Sequence, residues 1–568
     1  MRELGGLRPV FSVVTAALLL CLGGIAAAAG SVPTREGTNP DFLAWNLNRR
    51  MLGDGALAGG RRPSPLNLSH LDGVNTFPTR SRGASVSAAS FDLRTQNKLS
   101  AVRDQGSLGL CWAFGALGSL ESTLRPGVST DLSEIQLAYQ TFGVPGGLTA
   151  YTNWYDNGGD DWGAVSALTR WASPVYESEA PYPSGLPVAI PGGTVRFHVQ
   201  DVVYLPTPFD YDWLDVSDVS HTTAILNLKT ALVTYGGVSA GMCSDFVSPY
   251  WNAGTNAFYY SGSDGQDHGV VIVGWNDDYS RTNFVSTNRP PGDGAWIVRN
   301  SWGADWGDGG YFYASYYDKK LSGAIAYTAE SADNYGAVYQ YDPLGWVENL
   351  GYSSNTAWFA NRFTAAANQT LRACSFYTSA PNSTYTISVY AGSGATNPTE
   401  GTRILGPVTG TVETPGYHTV KFSSGAGVSS GQTFAVVVGL TTPGYTKPIP
   451  VESALAGYSD NAAASAGQSF VSPDGTTWTD LTTLVGQSKS NVCLKAFADA
   501  SAVTPTPSPL VTVTMTPTTN PTGSVTGTVT PTSSGSSGGG GGCGASGLLP
   551  AGLILLLPGT FVLFGRRR

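Results

Sequence analysis

With 72 glycines and 35 prolines in 568 residues, the composition of this chain disfavours long helices. Glycine in a helix interior costs about 1 kcal/mol relative to alanine, and proline about 3. The expected architecture is therefore rich in loops and β-structure, with helices short and confined to stretches where these residues thin out. Charged residues are only 12% of the chain, the net charge is −9, and neither sign forms a long run, so a nucleic-acid surface is not expected. The length accommodates two or three domains with cores of their own, so a monomer suffices.

The two ends read differently from the rest. Arg2 and Arg8 precede the apolar stretch 10–22, and small residues follow at 26–29, the pattern of a secretory signal over residues 1–29. At the other end the apolar stretch 548–564 is just long enough to span a membrane and is followed by Arg566, Arg567 and Arg568, which would stay on the cytoplasmic side. The order of a glycine run at 538–542, Cys543, an apolar span and an arginine cluster resembles the Synergist-type and GlyGly-type C-terminal sorting signals of bacteria. An exported protein at the cell surface or anchored in the membrane is expected.

Between the ends the composition divides the chain. Residues 30–90 hold Pro, Ser, Gly and Arg with one short helical candidate at 41–52, read as a pro-segment. Residues 91–328 alternate helical and strand patterns, as a mixed α+β enzyme domain does. Over 329–500 short β-rich runs such as 385–390, 418–422 and 433–440 are separated by turn-forming clusters, predicting an all-β sandwich or jelly roll. The Thr/Pro/Ser/Gly tract 501–542 is a linker, and 543–568 is the anchor or sorting signal.

Cysteine context narrows the chemistry. Cys21 leaves with the signal, Cys543 belongs to the anchor, and Cys374 and Cys493 bracket the β-rich module, where an oxidising compartment would permit a disulfide between them. Cys243 stands at a strand end as a buried structural thiol. Cys111 is different: in VRDQGSLGLCWAFGALGSLEST a glycine-rich loop runs directly into a helical spacing of Phe114, Leu117, Leu120 and Leu124. A sulfur at a helix's first turn feels its positive end, which favours the thiolate. Such a nucleophile needs a base and a group that orients the base. Of the five histidines, His268 stands at the mouth of the apolar strand 270–275, and Asn300 in WIVRNSWGADWGDGGYF offers a side-chain amide.

These residues resemble the papain-like, cathepsin-type cysteine peptidases. The nucleophile segment is matched by Gln105, Gly106, Gly109, Cys111, Trp112, Ala113 and Phe114. The histidine segment is matched by Asp267, His268, Gly269, Val270 and Gly274, and the asparagine segment by Asn300, Ser301, Trp302, Gly303, Trp306, Gly307, Gly310 and Tyr311. Leu132, Ser133, Glu134, Gln136 and Leu137 look like the helix after the nucleophile, and Asn157, Gly158, Gly159 and Trp162 like the substrate-cleft loop. The resemblance implies a two-subdomain α+β peptidase, helical in its left half and barrel-like in its right, followed here by the β-rich module. It implies protein or peptide substrates and neither metal nor cofactor. It further implies that Gln105 joins the Cys111 N–H in binding the oxyanion, that Trp302 covers the His268–Asn300 bond, and that Gly158, Gly159 and Asp267 face the substrate.

The chain departs from that pattern in three places. Leu108 and Asp156 occupy both positions of a disulfide usual in the family, Leu110 replaces a small residue beside the nucleophile, and the pro-segment lacks the long charged helix of the best-known members. Its inhibitory role is thus an expectation to be tested. Asp160 and Asp161, directly after the cleft glycines, predict a preference for basic side chains near the scissile bond unless they face water. The module resembles lectin-like domains that follow some prokaryotic peptidases of this type; Trp346, Trp358 and Trp478 are its candidate glycan contacts, although aromatics in a sandwich are more often core. Two alternatives remain at this point: an inert papain-fold adhesin that binds carbohydrate, and an acyl transferase of the transglutaminase kind, disfavoured by Asn300 in place of a carboxylate.

Overall fold

A computed structural model describes residues 32–52, 60–77, 86–149, 153–186, 192–206 and 219–500. The expected signal peptide, linker and anchor lie outside these residues. No helix among the described residues is long and apolar enough to cross a membrane. The elements that build the site are, in chain order, β1 (Thr34–Arg35), α1 (Pro40–Leu52), α2 (Cys111–Leu124), α3 (Asp161–Thr169), β2 (Phe197–Leu205), β3 (Val238–Met242), β4 (His268–Asn276), β5 (Ala295–Arg299), β6 (Tyr311–Ser315) and β7 (Ser322–Ser331).

Helix α2 begins at the expected cysteine and stops before Pro126, but it is not amphipathic. Every residue from Cys111 to Ser122 is buried. The face that reads as small and polar packs on the sheet: Ser119 Oγ donates to Gly237 O at 2.6 Å, and Gly237 N–H donates to Ser122 Oγ at 2.7 Å. A Cβ at Gly118 would lie 2.0 Å from Arg299 Nη2, so the absence of a side chain is what lets the helix approach β5. Leu110, which replaces a small residue beside Cys111, points into the core of the helical half and is fully buried. Leu108 is buried in the same core, and the backbone of the preceding loop packs at Gly109 against Asp156. Packing thus replaces the missing disulfide.

The β half is an antiparallel succession. Strand β4 lies between β3 and β5, with Met242 opposite His268 and Val271 opposite Arg299. Its apolar run is buried on both sides, as central strands require. This register sets His268, at the start of β4, beside the residue that follows β5, Asn300.

The module is a sandwich. It contains β8 (Glu348–Gly351), β9 (Thr356–Thr364), β10 (Gln369–Thr378), β11 (Ser383–Ala391), β12 (Thr402–Val412), β13 (Gly416–Val428), β14 (Thr433–Thr441), β15 (Ser469–Ser472) and β16 (Leu494–Ala498). One sheet runs β12, β11, β14, β9, β15; the other includes β16, β10 and β13. The second sheet does not end at the module. Strand β13 pairs with β2 through Gly416–Val203, Tyr417–Val202 and His418–Asp201, so one sheet of thirteen described strands crosses from the module to the domain that carries Cys111. The core of the helical half likewise takes in Trp346, Tyr377, Tyr417 and Tyr458 from the module.

Two expectations about the module are corrected. Cys374 and Cys493 are both free and fully buried. Cys374 lies opposite Ala496 in the ladder, three residues along from Cys493, an offset of about 10 Å at the strand rise and beyond disulfide reach. Trp346 is core, its indole edge-on to Trp162 at 5.2 Å, whereas Trp358 and Trp478 are half-buried.

Candidate active site

Cys111, His268 and Asn300 come from a helix start, a strand start and a strand end, and they converge. Gly269 N–H donates to Cys111 Sγ at 3.1 Å, which fixes the sulfur beside the residue that follows His268. His268 Nε2 donates to Asn300 Oδ1 at 2.7 Å, which leaves Nδ1 as the ring's proton acceptor. Asn300 Oδ1 also accepts from Ser301 N–H at 2.8 Å, so the amide cannot turn without losing both bonds. Trp302 lies against the imidazole with centroids 5.0 Å apart, and Trp306 and Phe246 hold it there edge-on.

Gln105 is pinned from three sides. Its Oε1 accepts from Ser301 Oγ at 2.6 Å, its Nε2 donates to Leu108 O at 2.8 Å, and its backbone O accepts from Tyr182 at 2.8 Å. One N–H of the amide remains for an oxyanion near Cys111. Ser301 and Tyr182 had no assigned role at the level of sequence, because nothing local tells which backbone or amide a hydroxyl will reach.

The cleft is occupied by the chain itself. Residues 60–62 lie along the glycine loop: Gly159 N–H points to Gly60 O at 3.4 Å, Arg62 N–H donates to Gly159 O at 2.9 Å, and Arg61 N–H donates to Asp267 O at 2.9 Å. Gly60 crosses directly over Cys111, where a Cβ would lie 2.2 Å from Sγ. Any side chain at position 60 would collide with the sulfur. Gly159 and Asp267 thus contact this extended segment, and Gly159 has a second reason to be glycine. A Cβ there would lie 2.4 Å from the Trp112 indole.

Neither cleft aspartate faces water. Asp160 caps α3, with Oδ1 accepting from Trp162 N–H at 3.0 Å and Gly163 N–H at 3.1 Å, and also binds Tyr458 of the module at 3.1 Å. Asp161 pairs with Arg61 at 2.6 Å. Arg62 is buried against Phe142 of the helical half, Tyr458 of the module and Trp45 of α1. The Gly-Gly-Arg-Arg run at 59–62 was the signal for this contact, legible only beside Asp160 and Asp161. Further back, β1 pairs with β8 of the module, Phe42 meets Tyr458 edge-on, and His70 donates to Ser379 O at 2.8 Å while stacking on Tyr445 at 3.7 Å. His198 and His418 hold structural bonds to Asn334 and Asp201.

Covering the site changes its protonation. Burial pushes the Cys111 thiol up to about 12 despite the Gly269 bond and the Arg61 charge. Burial also lowers His268 below 6.5, against the raising effect of its bond to Asn300. Burial thus works against the thiolate expected at this helix start while Gly60 covers the sulfur. Cys243 is also held up, to about 11, by burial.

These shifts set a pH window for docking. His70 and His268 both sit below their ordinary 6.5, chiefly through burial, with Glu36 raising and Lys447 lowering His70. A depressed histidine favours the docked state above its free value and disfavours it as pH falls below; the raised thiol acts oppositely at high pH. A fluorescent peptide spanning residues 32–77 should therefore bind a chain freed of that segment most tightly above about pH 6.5. Below that, binding should weaken by up to about tenfold per pH unit for each histidine; anisotropy titration showing tighter binding at pH 5 than at pH 7 would contradict this.

Two families match this chain: Papain family cysteine protease over residues 87–330 and Lectin like domain over residues 338–498. The viral cathepsin of Choristoneura fumiferana nuclear polyhedrosis virus is 31% identical over 228 residues, covering 39% of this chain and 57% of its own. A cathepsin L-like peptidase of Aedes aegypti is 30% identical over 230 residues, 39% of this chain and 56% of its own. The chain thus spans little more than half the length of these relatives. Among solved structures, the cysteine protease and lectin-like domains of Cwp84, a surface layer associated protein of Clostridium difficile, give a TM-score of 0.66 at 24% identity, covering 83% of this chain and 98% of that one. Cwp84 after propeptide cleavage gives 0.61 at 25% identity, covering 73% and 100%.

Proposed function

We propose that this chain, a papain-family cysteine peptidase domain joined to a lectin-like domain, is the latent form of an exported endopeptidase acting through a thioester on Cys111. The observation that carries the reading is the fixed His268–Asn300 bond at 2.7 Å beside a sulfur held by the Gly269 amide. Once residues 60–62 leave, water re-enters and the imidazole takes the thiol proton. The thiolate attacks the scissile carbonyl, and the oxyanion is met by the Cys111 N–H and the Gln105 amide. His268 then gives its proton to the departing amine. A water activated by the same ring cleaves the thioester, which returns the thiol.

The segment 30–90 is read as the inhibitor, since its backbone fills the cleft and its Gly60 lies on the nucleophile. The domain limits are those read from composition, with the peptidase over 91–328 and the module over 329–500. Export and surface tethering rest on the charge and hydropathy of the two ends, and the fold neighbour Cwp84 is described as surface layer associated. Trp358 and Trp478, half-buried where Trp346 is core, are the aromatics of the module left as candidate glycan contacts.

The test is a chain of residues 30–500 allowed to mature, then treated with a peptidyl epoxide. One label per chain on Cys111, none on Cys243, Cys374 or Cys493, and hydrolysis of a peptide substrate are expected. Glycan binding without label or hydrolysis would favour the inert adhesin instead.

A further inference from the structure

The pocket next to the nucleophile has a charge at its floor. Arg61, one residue along from the glycine on Cys111, runs into it and is 8% exposed; Asp161, which it meets through Nη1 at 2.6 Å, is 2% exposed. The other oxygen of Asp161 accepts from Ser239 Oγ at 2.6 Å, which fixes the carboxylate from β3. On the opposite side Gln266 Oε1 faces Arg61 Nε at 3.3 Å, and the amide is aimed there because its nitrogen donates to Lys320 O at 2.9 Å and to Ser322. The walls are bare: a Cβ at Gly241 would lie 2.3 Å from Arg61 Nε, and one at Gly323 would lie 3.2 Å from Nη2.

We propose that this pocket is an arginine subsite for substrates, lined by Asp161, Gln266 and Ser239 between glycine walls, and that Arg61 occupies it as a stand-in for the substrate side chain. The inference rests on the peptidase reading above. Its physical basis is the state left behind when the pro-segment departs. A fixed carboxylate at the bottom of a narrow pocket then lacks its cation, and an apolar side chain entering would bury that charge unpaired. A guanidinium restores the pair and places a second nitrogen against Gln266. An ammonium on a flexible stem is a single point and cannot meet both acceptors with the same geometry. Asp160, its carboxylate engaged at the helix start and by Tyr458, takes no part.

The experiment is a positional-scanning peptide library cut by the matured full chain, with Asp161→Asn in parallel. At one position within two residues of the cut, arginine should exceed leucine by at least about 100-fold in kcat/KM, since a site built around a polar partner rejects analogues that lack it. Lysine should fall between. In Asp161→Asn the ratio of arginine to leucine should drop toward one; hydrolysis of the leucine peptide reports that the variant is folded. Cleavage of the library by the unaltered chain without arginine enrichment overturns the inference and leaves the peptidase reading standing. No cleavage together with no epoxide labelling of Cys111 removes the peptidase reading and the inference with it. An arginine preference that survives in Asp161→Asn would also overturn it, because another group would then be reading the cation.

Discussion

Cys111→Ala should lose at least about 10⁴-fold in peptide hydrolysis while keeping its fold. Among the described residues the other thiols, Cys243, Cys374 and Cys493, are buried and free, and none of them starts a helix. What would survive is the rate left to oxyanion binding and positioning alone, which in triad enzymes is small against the whole. The substitution removes one sulfur atom from a site already closed by Gly60, so the pro-segment should remain seated. Matured enzyme and variant, each from residues 30–500, would be compared by hydrolysis rate and by N-terminal sequencing. If the first cut is made by the enzyme on itself, the variant should retain its pro-segment. Hydrolysis above about one hundredth of the parent rate would sink the assignment of the nucleophile.

The second large effect is expected at Gln105. Removing its amide in Gln105→Ala should lower kcat by about 10²–10³ with KM little changed, because the donor meets charge that exists only in the transition state. The geometry also predicts a graded companion. Ser301 Oγ holds Gln105 Oε1 at 2.6 Å and thereby turns the nitrogen toward the cleft; Ser301→Ala should cost about tenfold in kcat, by freeing the amide to turn rather than by removing it. A Gln105→Ala variant with kcat intact and KM raised would mean that the residue binds ground-state peptide instead.

The contacts of the segment that crosses Cys111 are spread over three parts of the chain. Arg62 is enclosed by the helical half, the module and α1 together, while β1 and His70 are held by the module. The lectin-like module therefore does more than follow the other domain: it holds the segment that crosses Cys111. The shared sheet through β13 and β2 gives that grip a rigid base.

The sequence by itself singled out the candidate reacting groups. Cys111, His268, Asn300 and Gln105 each sit on a local backbone device, a helix start, a strand mouth or a tight turn, and in a chain with five histidines and six cysteines few other placements of the chemistry were available. The β runs of the module were legible for a similar reason, since side-chain alternation and turn residues are local properties. Tertiary structure decided everything that depends on a distant partner. Only long-range packing shows that α2 is buried on all sides, that Leu110 turns inward, that Cys374 and Cys493 are out of register, and that Asp161 closes a pocket while Asp160 caps a helix. Burial and strand register arise from segments hundreds of residues apart, and the local pattern at one position carries no record of which surface will cover it.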